Sequence, residues 1–217
     1  ADLISSQISL HAPYGGVVPE LASREHQRNL PVLVREALKK ATVSVSDISA
    51  VAVTRGPGLN GCLLVGISFA KGLAAALRVP LVAVNHLEGH ILSADLLEDE
   101  PPLPTLNLLV SGGHTELVLR RGARDYTVVA KTRDDAAGEA FDKCATLLGL
   151  PYPGGPALSA LAAEGDSKRY DFPIGMPADD TQFSFSGLKT AVRRLVEVSE
   201  LSAPNVRADI AASVQLA

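Results

Sequence analysis

The chain has 217 residues, 47% of them hydrophobic, with 18 glycines, 14 prolines, no tryptophan and a net charge of −4. This is a soluble globular composition sized for one or two domains, with no apolar run expected to cross a membrane and no signal peptide at Ala1–Gln7. Cys62 and Cys144 sit in apolar contexts, which argues against a disulfide framework and fits a reducing compartment better, and the acidic balance requires any nucleic-acid partner to meet a local basic patch.

In chain order, Leu3–Leu10 reads as a strand and His11–Pro19 as a loop rich in turn residues. Glu20–Lys40 is helical, with Leu30, Val34 and Leu38 four apart, and Arg24, Glu25 and His26 read as a solvated face. A strand over Ala50–Thr54 runs through Arg55–Gly61 into an apolar helix, Cys62–Leu77. Strand, glycine loop and helix can offer amides to phosphate. The spacing is not that of a Walker A loop, and a tight connection explains it equally. Pro80–Val84 is the next strand.

Asn85-His-Leu-Glu-Gly-His90 follows. His86 and His90 lie at i, i+4 and share a face on a helix, a geometry suited to bidentate metal capture. Glu88 is two residues from each histidine and faces away, unlike the glutamate of a zinc protease. Surface histidines are the alternative. Glu98–Pro104 reads as an acidic, proline-rich linker between two α/β halves that each repeat a strand and a glycine turn.

Leu108-Leu-Val-Ser-Gly-Gly-His-Thr115 reads as a buried strand ending in a bend. Its successive amides can form an anion nest, and a simple hairpin into Glu116–Leu119 is equally consistent. Tyr126–Lys131 is a strand, and Thr132–Lys143 leads into a helix over Cys144–Leu148. Asp135, Glu139 and Asp142 fall on one face, either solvated or forming a pocket wall in which Asp142 accepts from sugar hydroxyls. Leu150–Pro156 is a rigid Pro-Gly segment, and Phe172–Thr181 a proline-rich loop. Phe183–Lys189 leads into a helix with Leu188, Val192, Leu195 and Val196 on one face and Lys189, Arg193 and Arg194 on another. Asn205 is expected to cap a last helix, Val206–Ala217.

Seven segments, taken together and in order, resemble one family: Tyr14–His26, Gly56-Pro-Gly58, Asn85–His90, Leu109–Thr115, Asp134–Lys143, Tyr152–Pro156 and Phe183–Lys189. They are similar to the TsaD family of tRNA threonylcarbamoyladenosine transferases. The resemblance implies an actin-like, two-lobed α/β fold of the sugar kinase and heat-shock ATPase class, incomplete at both ends. Residues 1–104 would be the remainder of the first lobe, and 105–217 the start of the second with a helical insertion. It implies transfer of threonylcarbamoyl from threonylcarbamoyl-AMP to the tRNA adenine just 3′ of the anticodon, with release of AMP. His86 and His90 would hold iron(II) or zinc. Leu109, Val110, Ser111, Gly112 and Gly113 would face the acyl-adenylate, Asp142 and Gly155 would hold the nucleoside, and His114 would help polarise the substrate. The implied partners are tRNA and TsaB-like and TsaE-like subunits, with no membrane, in the cytoplasm. Family members carry further segments at both termini, including an Asp that completes the metal site, so this chain alone is expected to be inactive and to hold metal weakly. The alternatives are a metalloprotease and a non-catalytic partner of the same fold.

Overall fold

The computed structural model describes residues 1–96, 101–175, 182–203 and 205–217. The chain is α/β and divides into two compact units, 1–99 and 100–217.

The strand expected over Leu3–Leu10 does not form: residues 3–7 are irregular, and Ile8–His11 is a single helical turn, α1. A strand exists only where another strand can pair with it, and the described strands of this unit, β1 (Val51–Gly56) and β2 (Leu81–Asn85), pair only with each other. Ile4 and Ile8, the apolar residues that suggested a strand, are exposed. Helix α2 spans Pro19–Ala41, with Pro19 in the first turn, where its missing N–H costs nothing, and Pro31 in its interior, where one helix hydrogen bond is lost. Helix α3 (Asn60–Leu77) connects β1 to its parallel neighbour β2 and packs on β1 and α2. Contrary to the sequence reading, α3 is long and apolar enough to cross a membrane by length and composition. A Cβ at Gly58, in the loop before it, would make only ordinary contact with the Leu63 side chain at 3.4 Å, whereas one at Gly61, in its first turn, would crowd Ser23 at 3.3 Å. Helix α4 (His86–Leu92) closes the regular α/β part of the unit. Asn85 caps it by accepting from the Leu87 and Glu88 amides at 2.9 and 3.2 Å. The expected linker starting at Glu98 lies outside the described residues up to 100.

The second unit opens with an antiparallel meander of β3 (Thr105–Val110), β4 (Thr115–Gly122) and β5 (Asp125–Thr132). The sequence reading of a buried β3 is corrected. Alternation exposes Leu106, Leu108 and Val110 on one face and half-buries Thr105, Asn107 and Leu109 on the other. Helix α5 runs from Ala137 to Leu147, starting well before Cys144, so Asp135 precedes the helix and does not share its face. Helix α6 (Gly154–Ala162) was not expected, because Gly-Gly-Pro reads as a breaker. In the first turn of a helix these residues are tolerated. A short strand β6 (Gln182–Phe183) joins β5 in parallel, ahead of helix α7 (Ser186–Val198) and helix α8 (Val206–Leu216). Residues 176–181 of the expected proline-rich loop lie outside the described residues. Asn205 stands at the start of α8, but with φ of 66° and no side-chain bond to the helix. The core of this unit is helical, built on Cys144, Leu148, Leu158, Val192 and Ile210.

Candidate functional site

In the first unit, α4 brings the two histidines together. Nε2 of His86 and Nε2 of His90 stand 3.3 Å apart, with ring centroids at 4.5 Å and planes crossed at 68°. Two ligand nitrogens about 2 Å from one tetrahedral ion lie about 3.3 Å apart. The two nitrogens are within hydrogen-bonding distance of each other, and the same separation matches two ligands of one metal ion. Among the described residues, no third His, Cys, Asp or Glu joins it.

In the second unit, α5 gathers the other predicted residues. Ser111–His114 is the turn between β3 and β4, with Leu109 and Val110 at the strand end. The turn is closed by its own hydroxyl. Ser111 Oγ accepts from the Gly113 and His114 amides at 3.3 and 3.0 Å, and the Ser111 amide donates to the His114 carbonyl at 2.8 Å. The anion nest read from sequence is thus mostly occupied from within. His114 supplies its backbone to this closure, and its side chain is half-buried.

Behind the turn sits the first turn of α5. The Ala137 amide donates to Oγ1 of the buried Thr115 at 2.8 Å, and the Gly138 amide donates to the Ser111 carbonyl at 3.1 Å. A Cβ on Gly138 would lie 2.7 Å from the Ser111 carbonyl oxygen and 2.9 Å from Gly112 Cα. Four residues along the same face, about 6 Å further up the helix, Asp142 Oδ1 accepts from the Gly154 and Gly155 amides at 2.8 and 3.3 Å. A carboxylate at the head of a helix is favoured by both the hydrogen bonds and the dipole, so Asp142 anchors α6. A Cβ on Gly154 would lie 2.5 Å from Ala145 Cβ, so only glycine allows this approach. Burial, and next the Asp142 charge, raise the Tyr152 phenol above its ordinary value.

The glycines here fall into two kinds. Gly138 and Gly154 are required by packing. Gly112, Gly113 and Gly155 have ordinary φ, and a Cβ on any of them would meet nothing within 4 Å. Nothing in the described residues requires them to be glycine.

Sequence reasoning missed Asp134. Its carboxylate accepts from the Ser184 and Ser186 hydroxyls and from the Phe185 and Ser186 amides, tying the β5–α5 connection to the head of α7. Burial alone would raise this carboxyl, but the four hydrogen bonds outweigh it and hold it below its ordinary value. The expected repulsion among Asp135, Glu139 and Asp142 is relieved by Lys143, which reaches both Asp135 and Glu139 at 2.8 Å. Those two carboxylates hold the Lys143 ammonium above the usual lysine range. Lys189, read as part of a basic patch, stands 3.5 Å from Asp135, while Arg193 and Arg194 are exposed. Gly138 and Gly154 carried a usable signal: a glycine at a helical position costs about 1 kcal/mol against alanine and calls for a packing reason.

The fold and the paired sites define an α/β protein with a candidate nucleotide turn and a candidate metal pair. All of residues 1–217 match the family described as TsaD, tRNA N6-adenosine threonylcarbamoyltransferase, and the chain belongs to that family. Curated relatives with that description include proteins from Aromatoleum aromaticum, 54% identical over 99% of this chain and 63% of its own length, and Dehalococcoides mccartyi, 52% identical over 99% and 64%. The chain spans just under two thirds of the length of these relatives. A solved structure titled YeaZ from Pseudomonas aeruginosa overlaps 48% of this chain and 53% of its own at 26% identity and a TM-score of 0.35, too loose for a fold argument.

Proposed function

We propose that this chain serves in transfer of the threonylcarbamoyl group from threonylcarbamoyl-AMP to the tRNA adenine 3′ of the anticodon. The observation that carries the reading is the match of residues 1–217 to the family; Gly112, Gly113 and Gly155 leave open space for close approach of a ligand, as Gly16, Gly72, Gly89 and Gly187 do elsewhere. The turn and the Asp142–Gly155 contact stand on one face of α5, at a separation suited to a nucleoside phosphate. In this reading Leu109–Gly113 face the acyl phosphate, Asp142 and Gly155 take the ribose, and His114 at the rim helps orient the acyl group. The adenine amine forms the new bond to the carbamoyl carbon and loses a proton, while the bond from that carbon to the phosphate oxygen breaks and AMP leaves with the electron pair.

His86 and His90 would hold one iron(II) or zinc ion, which when bound supplies a Lewis acid for a phosphate or carbonyl oxygen. The two units belong, in this reading, to two actin-like lobes, 1–104 and 105–217, acting with TsaB-like and TsaE-like partners in the cytoplasm and not at a membrane. The metalloprotease reading is disfavoured by Glu88, which follows His86 by two residues and so projects away from the pair.

The test is a chimera in which this chain replaces the matched region of its Aromatoleum relative. It is incubated with tRNA, threonylcarbamoyl-AMP and the partner subunits, and the nucleosides are read by mass spectrometry. Formation of threonylcarbamoyladenosine is expected, with its loss in the His86→Ala chimera. A folded chimera that yields none, with active partners, overturns the reading.

A further inference from the structure

We infer that Gly138 and Thr115 are positioning residues: together they make the first turn of α5 a template that sets the Ser111–Gly113 turn at a fixed height above Asp142. The inference rests on the nucleotide reading of that turn and deepens it.

The first amides of a helix have no partner within it. Here two of them are committed to the turn region, Ala137 to Thr115 Oγ1 and Gly138 to the Ser111 carbonyl. Ala136, before the helix, offers no side-chain cap, so Thr115, from β4, does the capping across 22 residues of sequence. Thr115 is buried, and its hydroxyl oxygen is held where the helix needs it.

Gly138 is the second element of the template. Its missing side chain lets the helix touch the Ser111–Gly112 backbone. Any Cβ there would press on the carbonyl carbon and oxygen of Ser111 and on Gly112 Cα, all backbone atoms that cannot swing aside. The turn would have to move as a body. Asp142, on the same face of the same helix, would not move with it, because its contact with Gly154 and Gly155 is independent of the turn. The distance between the two halves of the nucleotide site is therefore set by Gly138, a residue that need not touch the nucleotide.

The separation of roles can be measured on the chimera described above with AMP as the probe. Gly138→Ala improves helix propensity while displacing the turn. Thr115→Val removes the acceptor and keeps the shape, and Thr115→Ser keeps the acceptor. Amide NMR spectra without ligand are expected to show the Gly112 and Gly113 resonances shifted in Gly138→Ala and Thr115→Val and close to wild type in Thr115→Ser, with the Gly154 and Gly155 resonances unchanged. In AMP titrations the first two variants are expected to bind about tenfold more weakly, the equivalent of one well-made polar contact, and Thr115→Ser to be restored. Unshifted Gly112 and Gly113 resonances in a folded Gly138→Ala overturn the positioning role whatever AMP does. So does a shifted turn with undiminished affinity. Wild type that shows no AMP-dependent change at Gly112 and Asp142 overturns the nucleotide reading itself, and with it the inference, a result distinct from any variant effect.

Discussion

Leu158, Val192, Ile210 and Cys144 in the second unit are wholly shielded from water, whereas the first unit buries only His11, Ala22, Ala70, Ala74 and Ile91 among its described residues. The difference does not come from composition. Helix α3 is more apolar than α5 or α7, yet Leu64 on it is 67% exposed and Val82 on β2 is 47% exposed. A helix that is apolar on every side needs neighbours on every side, and a parallel sheet needs cover on both faces. Two strands with α2 and α3 do not supply enough layers within this unit. In the second unit, four short helices pack on one another: α5 and α7 each hide one stripe, and α8 is buried on nearly every side, at Ala208 and from Ile210 to Val214. Burial thus depends on how many layers a unit has, not on how apolar its segments are.

The largest effect that tests this contrast is Leu158→Ala. It removes a fully buried side chain and is expected to cost about 2–5 kcal/mol in denaturant unfolding of the second unit, while Leu64→Ala in the first stays within about 0.5 kcal/mol. Equal costs would show that the first unit is better packed than its exposures indicate.

The two free thiols report on the two units separately. Burial pushes the Cys144 thiol up to about 11, opposed by the Lys189 charge and then aided by that of Asp135, while Cys62 is only partly buried and raised by burial alone. A thiol reagent at pH 8 is expected to label Cys62 at least about tenfold faster than Cys144, because the thiolate is the reacting form. Comparable rates in native protein would mean that the second unit opens as readily as the first.

Asp134 sharpens the comparison within the second unit. Its carboxyl titrates lower in the folded chain than in the unfolded one. Its contribution is therefore complete above pH 3.8, the unfolded value, and is lost as pH falls through the lower folded value. Asp134→Asn is expected to cost about 1 kcal/mol at neutral pH, as for a lost helix cap at an exposed site. It should also flatten the stability profile below pH 4. A variant with the wild-type acid profile would show that the clasp to α7 contributes nothing.

The smallest effect concerns the histidine pair. Zinc at a concentration near its dissociation constant adds about 0.4 kcal/mol to whichever unit holds it. Thermal unfolding with and without zinc is expected to show this for wild type and not for His86→Ala. Retention of one equivalent after dialysis would mean that a third ligand exists outside the described cluster.

By itself the sequence determined the element types where periodicity was long, as in α2, α3 and α7, and it singled out His86 and His90, whose i, i+4 spacing alone puts two imidazoles on one side of a helix. It also marked the Ser111–Gly113 turn, because Ser-Gly-Gly after an apolar run is a local signal. The seven ordered motifs sufficed for the family. Tertiary structure decided the rest. Whether residues 3–10 form a strand depended on a partner strand, and among the described residues none pairs with them. Whether Gly112 and Gly138 are glycine for the same reason depended on what stands beside each, backbone in one case and open space in the other. Asp134 and Thr115 gained roles from residues 50 and 22 positions away. Such contacts arise only when distant segments are folded together, and local sequence patterns cannot encode them.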